Sequence, residues 1–494
     1  MAGGTPAGGA VEVELVEGAG PDDARDVARR RRPRWPVWAG VVVLVAVGAT
    51  SVAHTAADER RERDRREALA DVPGLLPHLD GPLEEAWRAP DGVLWAVGSD
   101  VVVLAALRGE QGLTGVDLRT GARMWTRPGE DETCRPLGER SGPARLAEPG
   151  PVEHLACYPF VTTADGDRAV LGEPADVVVL DVATGTQVAT VPTPGDVLGV
   201  ELAGHDVLVA SLDREGAVVV ARWDLPPAGL GGTADEVWAR RLDEPLERID
   251  ELGWVFHVET DVVRVGTVDS APLDLATGEP RPDAARDGVL YTMDAVLPGG
   301  ARVEWDFDAA GMGTGTSRVV PAGGGDVVEL DGVPWLPDVT DGSAPGVLLL
   351  RRPGSVYDAA SGNGDVVAVD PASGADLWSG GRMAGVEPLV QIEGILVTAG
   401  AGKVVALDVR SGDVVWQDRV DGVGFSPSGL TDGDVVVLTE RAGRDLALVA
   451  RDLGTGVARW RASLGPPGLG GPSLTGSGAG VLVSYADRTD LFAP

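Results

Sequence analysis

Residues 404–418 read VVALDVRSGDVVWQD, and this stretch contains the unit from which most of the chain is built. The apolar run VVAL predicts a buried strand. Asp408 then starts a turn, because its carboxylate can accept hydrogen bonds from backbone N–H groups two residues further on. Gly412 suits a backbone with positive φ, and the chain re-enters as a second strand that carries Trp416. The unit is therefore a β-hairpin with a large aromatic side chain that can pack on a neighbour.

The same Asp-x-x-(Thr/Ser)-Gly pattern occurs six times, and four of the copies carry a Trp four residues after the Gly. The aspartates are Asp117, Asp181, Asp274, Asp370, Asp408 and Asp452, the glycines are Gly121, Gly185, Gly278, Gly374, Gly412 and Gly456, and the tryptophans are Trp125, Trp378, Trp416 and Trp460. The last three aspartates are 38 and 44 residues apart, and a four-stranded propeller blade takes about 40–45 residues. Because a hairpin cannot bury both faces alone, the sequence predicts an all-β fold, a β-propeller of four-stranded blades.

The spacing of the copies predicts eight blades. The intervals of 93 residues after Asp181 and 96 residues after Asp274 each leave room for two blades. We place the hidden units at VVVARWD (218–224), followed by Trp238, and at RVEWDFD (302–308). The last strands, VLVSY and TDLFA, have no repeat turn, and we expect them to close the ring against the first strands near residues 83–87. Seven blades is the alternative, if one hidden unit is only a long loop.

The pattern resembles the pyrroloquinoline-quinone-like (PQQ-like) repeat, whose units read roughly as strand, AlDxxTG, short strand and Trp. The segments 404–418, 366–378 (VVAVDPASGADLW) and 113–125 (LTGVDLRTGARMW) carry the resemblance, and the repeats cover most of residues 84–494. The resemblance implies that the Asp, Gly and Trp residues are structural and that the Trp residues dock blade against blade. It says little about activity, because the family includes quinoprotein dehydrogenases, envelope assembly factors and extracellular sensor domains, and many members bind no cofactor.

Residues 35–53 (WPVWAGVVVLVAVGATSVA) hold no charge over 19 residues, which is long enough for a helix to cross a bilayer core. Five arginines just before this segment indicate a cytoplasmic N-terminus by the positive-inside rule. We therefore predict a disordered cytoplasmic segment at 1–34, a transmembrane helix at 35–53, a charged stalk at 54–79 and an extracytoplasmic propeller at 80–494. A cleaved signal peptide is the alternative, because Ser51-Val52-Ala53 fits the small-x-small cleavage rule.

The charge of the chain lies almost entirely in the predicted propeller. Residues 1–68 hold 11 acids and 11 arginines, so the remainder carries the net charge of −34. Such an acidic domain repels nucleic acid, and we expect no nucleic-acid partner. Lys403 is the single lysine, a bias typical of a GC-rich genome such as that of an actinobacterium.

Two cysteines, Cys134 and Cys157, lie between the first two repeat turns. In an extracytoplasmic domain, two neighbouring cysteines are expected to form a disulfide. Reduced, buried thiols are the alternative for a cytosolic domain.

Few residues indicate chemistry. The five histidines are not at metal-ligand spacing, and the chain lacks H-E-x-x-H, C-x-x-C and G-x-S-x-G motifs. The carboxylate pairs Asp165/Asp167 and Asp306/Asp308 lack the rest of a calcium loop, so we expect solvated or turn-capping side chains. We predict no catalytic, cofactor-binding or metal-binding residue and no cofactor.

The leading functional hypothesis is a non-catalytic, single-pass membrane protein whose propeller binds another protein or a cell-envelope component. An extracellular sensor that signals through the helix to a cytoplasmic partner is the alternative. A quinoprotein dehydrogenase is disfavoured, because such enzymes use Asn in a calcium site and usually an adjacent Cys-Cys pair. This chain has one Asn and no such pair.

Overall fold

The computed structural model covers most of the predicted propeller. It describes residues 60–61, 63–70, 72–90, 92–106, 112–128, 132–137, 151–159, 175–226, 231–245, 255–259, 261–266, 270–285, 288–308, 313–352, 364–382, 386–400, 402–420, 428–467 and 471–494.

The chain divides into two compact units, residues 1–65 and 66–494. In the first unit the described residues are 60–61 and 63–65, and they are helical. The predicted membrane segment at 35–53 lies outside the described residues. Within the described ranges, no helix has the length and apolar character needed to cross a membrane.

The second unit is built almost entirely of strands, with one short 3-10 helix at Pro282–Ala284. The strands of the first half are β1 (Glu84–Pro90), β2 (Gly92–Val97), β3 (Val101–Ala106), β4 (Gly112–Asp117), β5 (Arg123–Pro128), β6 (Glu132–Leu137), β7 (His154–Pro159), β8 (Ala175–Asp181), β9 (Gln187–Thr193), β10 (Asp196–Ala203), β11 (Asp206–Leu212), β12 (Ala217–Asp224), β13 (Asp235–Pro245), β14 (Val255–Val258), β15 (Val262–Gly266) and β16 (Leu273–Asp274). Those of the second half are β17 (Tyr291–Val296), β18 (Arg302–Phe307), β19 (Gly313–Val320), β20 (Val328–Asp331), β21 (Val333–Pro334), β22 (Val339–Thr340), β23 (Leu348–Arg352), β24 (Asp365–Val369), β25 (Asp376–Arg382), β26 (Val386–Ile392), β27 (Ile395–Gly400), β28 (Lys403–Asp408), β29 (Val414–Arg419), β30 (Leu430–Thr431), β31 (Val435–Ala442), β32 (Asp445–Asp452), β33 (Ala458–Gly465), β34 (Ser473–Ser477), β35 (Gly480–Ser484) and β36 (Arg488–Ala493).

The described strands form nine sheets, which we number as blades 1 to 9. Blades 1 to 5 contain β2–β5, β6–β9, β10–β13, β14–β16 and β17–β20. Blade 6 contains β21 and β23–β25, blade 7 contains β26–β29 with β22 added, and blade 8 contains β30–β33. Blade 9 contains β34–β36 from the end of the chain and β1 from its beginning. The predicted all-β propeller is therefore confirmed.

The predicted number of eight blades, and the alternative of seven, are wrong: the described residues form nine. The expected contact between the chain ends exists, because β36 pairs antiparallel with β1 from Glu84↔Ala493 to Pro90↔Arg488. Together with β34 and β35, however, these strands form a complete additional blade. The segment RVEWDF is also not a repeat hairpin, because it is β18, the second strand of blade 5.

The first strand of each blade faces the axis of the ring. First strands of neighbouring blades contact one another, as β6 and β14 do with β10, and β26 and β34 do with β30. Two further segments lie inside this inner row. Strand β22 pairs in parallel with β26, and Leu75 forms a parallel bridge with Thr431 of β30.

The apolar core lies between the blades. Eight clusters of buried apolar side chains occur in the described part of the chain, and each joins two neighbouring blades. Among the described residues, eight of the nine blade interfaces have such a cluster and the interface between blades 4 and 5 has none. The rings of His257 on β14 and Tyr291 on β17 meet at that interface, with their centroids 5.5 Å apart.

Candidate functional site

The repeat turns share one geometry. In the first turn, Thr120 donates to Asp117 Oδ1 from its backbone N at 2.8 Å and from its hydroxyl at 2.7 Å. Thr184, Thr277 and Thr455 donate in the same two ways to Asp181, Asp274 and Asp452. At the two serine turns one donor of the serine contacts the carboxylate: the hydroxyl of Ser373 for Asp370 and the backbone N of Ser411 for Asp408. The six turn glycines have φ between +66° and +75°, a conformation that costs other residues about 1–2 kcal/mol.

Hydrogen bonding at these turns favours the charged carboxylate. Donation by the Thr120 side chain holds the pKa of Asp117 below its usual range, and Thr277 and Ser373 do the same for the pKa of Asp274 and Asp370. At Asp408 the backbone N–H of Ser411 is the main cause of the lowered pKa. These four aspartates are therefore ionised at neutral pH, as their role as hydrogen-bond acceptors requires.

The repeat tryptophans lie on the fourth strands of blades 1, 6, 7 and 8, where they meet the next blade. The indole Nε1–H donates to the carbonyl of the residue after the repeat Asp in that blade: Trp125 to Val182 at 3.0 Å, Trp378 to Val409 at 2.9 Å and Trp416 to Leu453 at 2.7 Å. Each ring also covers the turn glycine. A Cβ added to Gly185, Gly412 or Gly456 would lie 2.5–2.7 Å from ring atoms, so only glycine leaves room for the indole.

Two more tryptophans dock in the same way. Trp87 on β1 donates to Leu118 O at 2.9 Å, and Trp238 on β13 donates to Leu275 O at 3.1 Å. Trp238 follows a hidden repeat unit. Trp87 belongs to blade 9. Its position one blade length before Trp125 is the sequence feature that could have predicted its role.

Trp460 differs from the other repeat tryptophans. It is buried on β33, yet its Nε1 has no hydrogen-bond partner within the described residues. The next blade is blade 9, whose third and fourth strands come from opposite ends of the chain, so no repeat turn joins them. Trp460 therefore lacks the turn carbonyl that receives the other indoles.

The predicted disulfide is present. Cys134 on β6 and Cys157 on β7 are directly opposite each other in blade 2, and their sulfurs are bonded at 2.04 Å. Both residues are buried within the apolar cluster that joins blades 1 and 2. The bond therefore links two strands that already pair.

Next to this disulfide, Glu201 and Arg135 lie on the first strands of blades 3 and 2. Burial raises the pKa of Glu201 to about 7, although the positive charge of Arg135 opposes the rise. Glu201 therefore holds its proton over much of the range below neutral pH.

Charged side chains occupy the interface between blades 4 and 5. Side chains alternate between the two faces of a strand, so two consecutive residues pack against different neighbouring blades. On β18, Val303 and Trp305 belong to the apolar cluster shared with blade 6, whereas Glu304 and Asp306 take part in the polar interface. On β15, Val263 and Val265 pack towards blade 3, whereas Arg264 binds Glu259 and Ala284.

A chain of hydrogen bonds crosses this interface. Arg264 Nε donates to Glu259 Oε1 at 2.5 Å, and the same oxygen accepts from Thr292 N at 2.9 Å. The Thr292 hydroxyl donates to Asp306 Oδ1 at 2.7 Å. Arg318 then joins Asp306 to Glu304, with contacts of 3.0 and 2.6 Å. We call the set Glu259, Arg264, Thr292, Glu304, Asp306 and Arg318 the charged seam.

The charged seam is energetically expensive. Arg264, Thr292, Glu304 and Asp306 are each no more than 8% exposed. Charges removed from water are retained only with good partners, and replacing such a pair by apolar residues is often neutral or stabilising. The expectation that Asp306 is solvated or caps a turn is wrong, because it is buried between Thr292 and Arg318. Asp165 and Asp167 lie outside the described residues.

A cleft of about 180 Å³ opens along the charged seam. Its lining contains five carboxylates and two guanidinium groups, and the residues are Glu259, Asp261, Val262, Arg264, Asp283, Ala284, Thr292, Asp294, Arg302 and Glu304. Asp261 and Asp283 are 73% and 70% exposed at the mouth, where Arg281 pairs with them at 3.9 and 3.1 Å. Arg264 and Glu304 lie deeper. The excess of carboxylates makes the cleft suited to a cationic group, with the arginines orienting the acids beneath it.

One family of known proteins matches part of the sequence. The family model described as outer membrane protein assembly factor BamB matches residues 356–491, which span most of blades 6 to 9. This segment is less than half of the chain. No curated protein matches the sequence.

Several solved propellers resemble the structure at low identity. BamB from Moraxella catarrhalis is 13% identical with a TM-score of 0.38, and the match covers 83% of this chain and 100% of that one. Quinohemoprotein alcohol dehydrogenase from Comamonas testosteroni is 13% identical with a TM-score of 0.39, covering 85% of this chain and 78% of that one. The computationally designed Ika8 protein is 14% identical with a TM-score of 0.36, covering 79% and 100%. An assembly factor, an enzyme and a designed protein give similar scores, so these likenesses do not distinguish between functions.

Proposed function

We propose that this protein is a non-catalytic, membrane-anchored propeller outside the cytoplasm that binds another protein through the acidic cleft between blades 4 and 5. The charged seam supports the cleft as the binding site, because it replaces an apolar interface with buried charges that stability alone does not require. The match of residues 356–491 to an assembly-factor family supports a binding role. The partner that fits the cleft presents a basic segment, whose Lys or Arg side chains compete with Arg281 for the exposed Asp261 and Asp283.

The proposed membrane topology can be tested by chemical labelling of Lys403, the single lysine. Lys403 is exposed on β28, and the other primary amine is the N-terminus, which we assign to the cytoplasm. A membrane-impermeant amine reagent should therefore label the intact protein on whole cells through Lys403. Lys403→Arg keeps the charge and should abolish this label.

After permeabilisation, both forms should be labelled through the N-terminal amine. Labelling of Lys403 only after permeabilisation would reverse the orientation of the ring.

The partner site can be tested with two exposed valines. Val296 on β17 is 56% exposed and lies two residues beyond Asp294 of the cleft, whereas Val457 in blade 8 is 64% exposed. Photo-reactive benzoylphenylalanine at position 296 should cross-link one discrete partner in the native membrane, and at position 457 it should not. Asp261→Asn with Asp283→Asn should greatly reduce the product at 296, because the cleft then loses two negative charges.

Asp326→Asn with Asp445→Asn is the matched control, since both residues are exposed acids outside the cleft. An equal yield from the two double variants, with unchanged melting, would show that the cleft does not select the partner. Raising the salt concentration should weaken cross-linking at 296, because exposed charges are screened.

A further inference from the structure

A second cluster of polar side chains lies far along the chain from the charged seam. The segment before β1 crosses the turn between β30 and β31 of blade 8. Leu76 N donates to Thr431 O at 2.7 Å, and Leu79 N donates to Asp432 Oδ2 at 2.8 Å. Leu76 and Leu79 are buried in the cluster that joins blades 8 and 9. These contacts hold His78, between them and next to the turn, in a defined position.

Three potential ligand atoms converge at this crossing. His78 Nδ1 lies 3.3 Å from Asp432 Oδ2 and 3.5 Å from Asp434 Oδ2, and all three atoms lie within 4.8 Å of one another. Zinc bonds to His nitrogen and carboxylate oxygen are about 2.0–2.2 Å long, so ligand atoms in a tetrahedral site are separated by about 3.3–3.6 Å. The two measured separations match that geometry.

The far side of the imidazole has the partner that metal-binding histidines use. His78 Nε2 lies 2.8 Å from Asp80 Oδ1, with Arg66 Nη2 3.2 Å away on the same side. Arg66 can only donate, so its contact requires an unprotonated Nε2, whereas the contact with Asp80 requires Nε2–H. The tautomer that a cation would select is the one in which Nε2–H donates to Asp80, because Nδ1 then presents its lone pair towards the two carboxylates. A carboxylate on the second nitrogen fixes the tautomer and orients the ring in metal sites.

The surroundings leave one side of the site accessible. The Asp432 side chain is fully buried, and its Oδ1 accepts from Asp434 N and Val435 N at 2.9 Å each. The side chains of Asp434 and His78 are 17% and 30% exposed. A cation would enter past Asp434 and His78, because the Asp432 side chain is itself closed to solvent, and a water would be its fourth ligand. Arg66 Nη2 forms an ion pair with Asp434 Oδ2 at 3.9 Å, which a bound cation would replace.

We propose that His78, Asp432 and Asp434 bind one divalent cation of the zinc class. Imidazole with carboxylate is a ligand set that suits Zn²⁺. The site joins residue 78, at the end of the predicted stalk (54–79), to a turn of blade 8 that is more than 350 residues away in the sequence. The cation would fasten the segment that leads into the closing blade to the body of the ring.

The test uses the full-length chain in detergent, purified without a polyhistidine tag and stripped with a chelator. Titration with ZnCl₂, followed by calorimetry, should saturate at one equivalent, and Co²⁺ should give the visible absorbance of a tetrahedral site. His78→Ala and Asp434→Asn should each weaken binding by about tenfold or more, since losing even an outer partner of a metal site costs about that much. At the Zn²⁺ concentration that just saturates the native chain, the melting temperature should rise more for the native chain and the control than for these two variants.

His205→Ala with Asp445→Asn is the matched control, because both residues are exposed and lie outside the cluster. It should bind like the native protein. The proposal is overturned if the native chain shows no saturable binding, or if both cluster variants bind as tightly as the control. The native titration decides the question even if His78→Ala fails to fold, and Asp434→Asn tests the ligand set at a partly exposed position.

Discussion

Removing residues 488–494 is expected to abolish the cooperative melting of the ring. The deletion takes away β36, the strand that joins β1 to the rest of blade 9. Its Leu491 and Phe492 are no more than 2% exposed, and losing two such side chains costs about 5–10 kcal/mol. That loss is comparable to the whole stability of a typical domain, about 5–15 kcal/mol. Differential scanning calorimetry of the full-length and shortened chains measures the effect.

Deleting residues 1–28 serves as the control and should leave melting unchanged, because the nine blades contain none of these residues. If the shortened chain is not produced, Phe492→Ala tests the same contact, with an expected cost of about 3–5 kcal/mol. A chain without β36 that melts like the native protein would show that the closing pair is dispensable.

Trp416→Ala is expected to lower the free energy of unfolding by about 3–5 kcal/mol, the usual cost of truncating a buried aromatic residue. The indole packs on Gly456 of the next blade and donates to Leu453 O at 2.7 Å, so both contacts are lost. Val415→Ala, one residue earlier and 43% exposed, should change stability by less than about 0.5 kcal/mol. Chemical denaturation of the three proteins gives these differences.

A double-mutant cycle with Gly456→Ala isolates the contact between the blades. Alone, Gly456→Ala should destabilise the ring, because its Cβ would lie 2.5 Å from Trp416 and the residue has φ +72°. In the Trp416→Ala background the clash is gone, and about 1–2 kcal/mol for the positive φ should remain. Additive effects in the cycle would mean that the two residues do not share this contact. Trp460→Ala should cost about 1 kcal/mol less than Trp416→Ala, since it breaks no indole hydrogen bond.

The propeller could be predicted from the repeat, because the residues that form each turn are close together in the sequence. Asp, Thr or Ser, and Gly determine the turn through contacts within five residues, and these contacts look the same in every copy. The ninth blade has no such signal, since its third and fourth strands are joined by pairing and not by a turn. The repeat unit of blade 5 was predicted in the wrong strand for a related reason. Its last turn, at residues 321–327, contains no Asp-x-x-(Thr/Ser)-Gly sequence, and RVEWDF has a Trp and aspartates in the wrong strand.

The charged seam was not predicted, because its partners are distant in sequence. In the sequence the nearest carboxylate to Asp306 is that of Asp308, two residues away. In the structure its partners are Thr292 and Arg318, which lie on other strands. Charged and apolar residues alternate in the strands VVRVG and RVEWDF, and this alternation could have predicted the polar interface. One face of such a strand is apolar and the other is charged, which indicates a polar interface when the strand lies between two others.

The ninth blade also sets the order in which the molecule can be completed. During synthesis β1 emerges first, and the strand that it needs, β36, emerges last. For the whole of that interval β1 has an unpaired edge, and unpaired edges are sites of misassembly and proteolysis. A product interrupted before β36 therefore keeps an open edge on β1, and the ring closes only when the last strand of blade 9 is present.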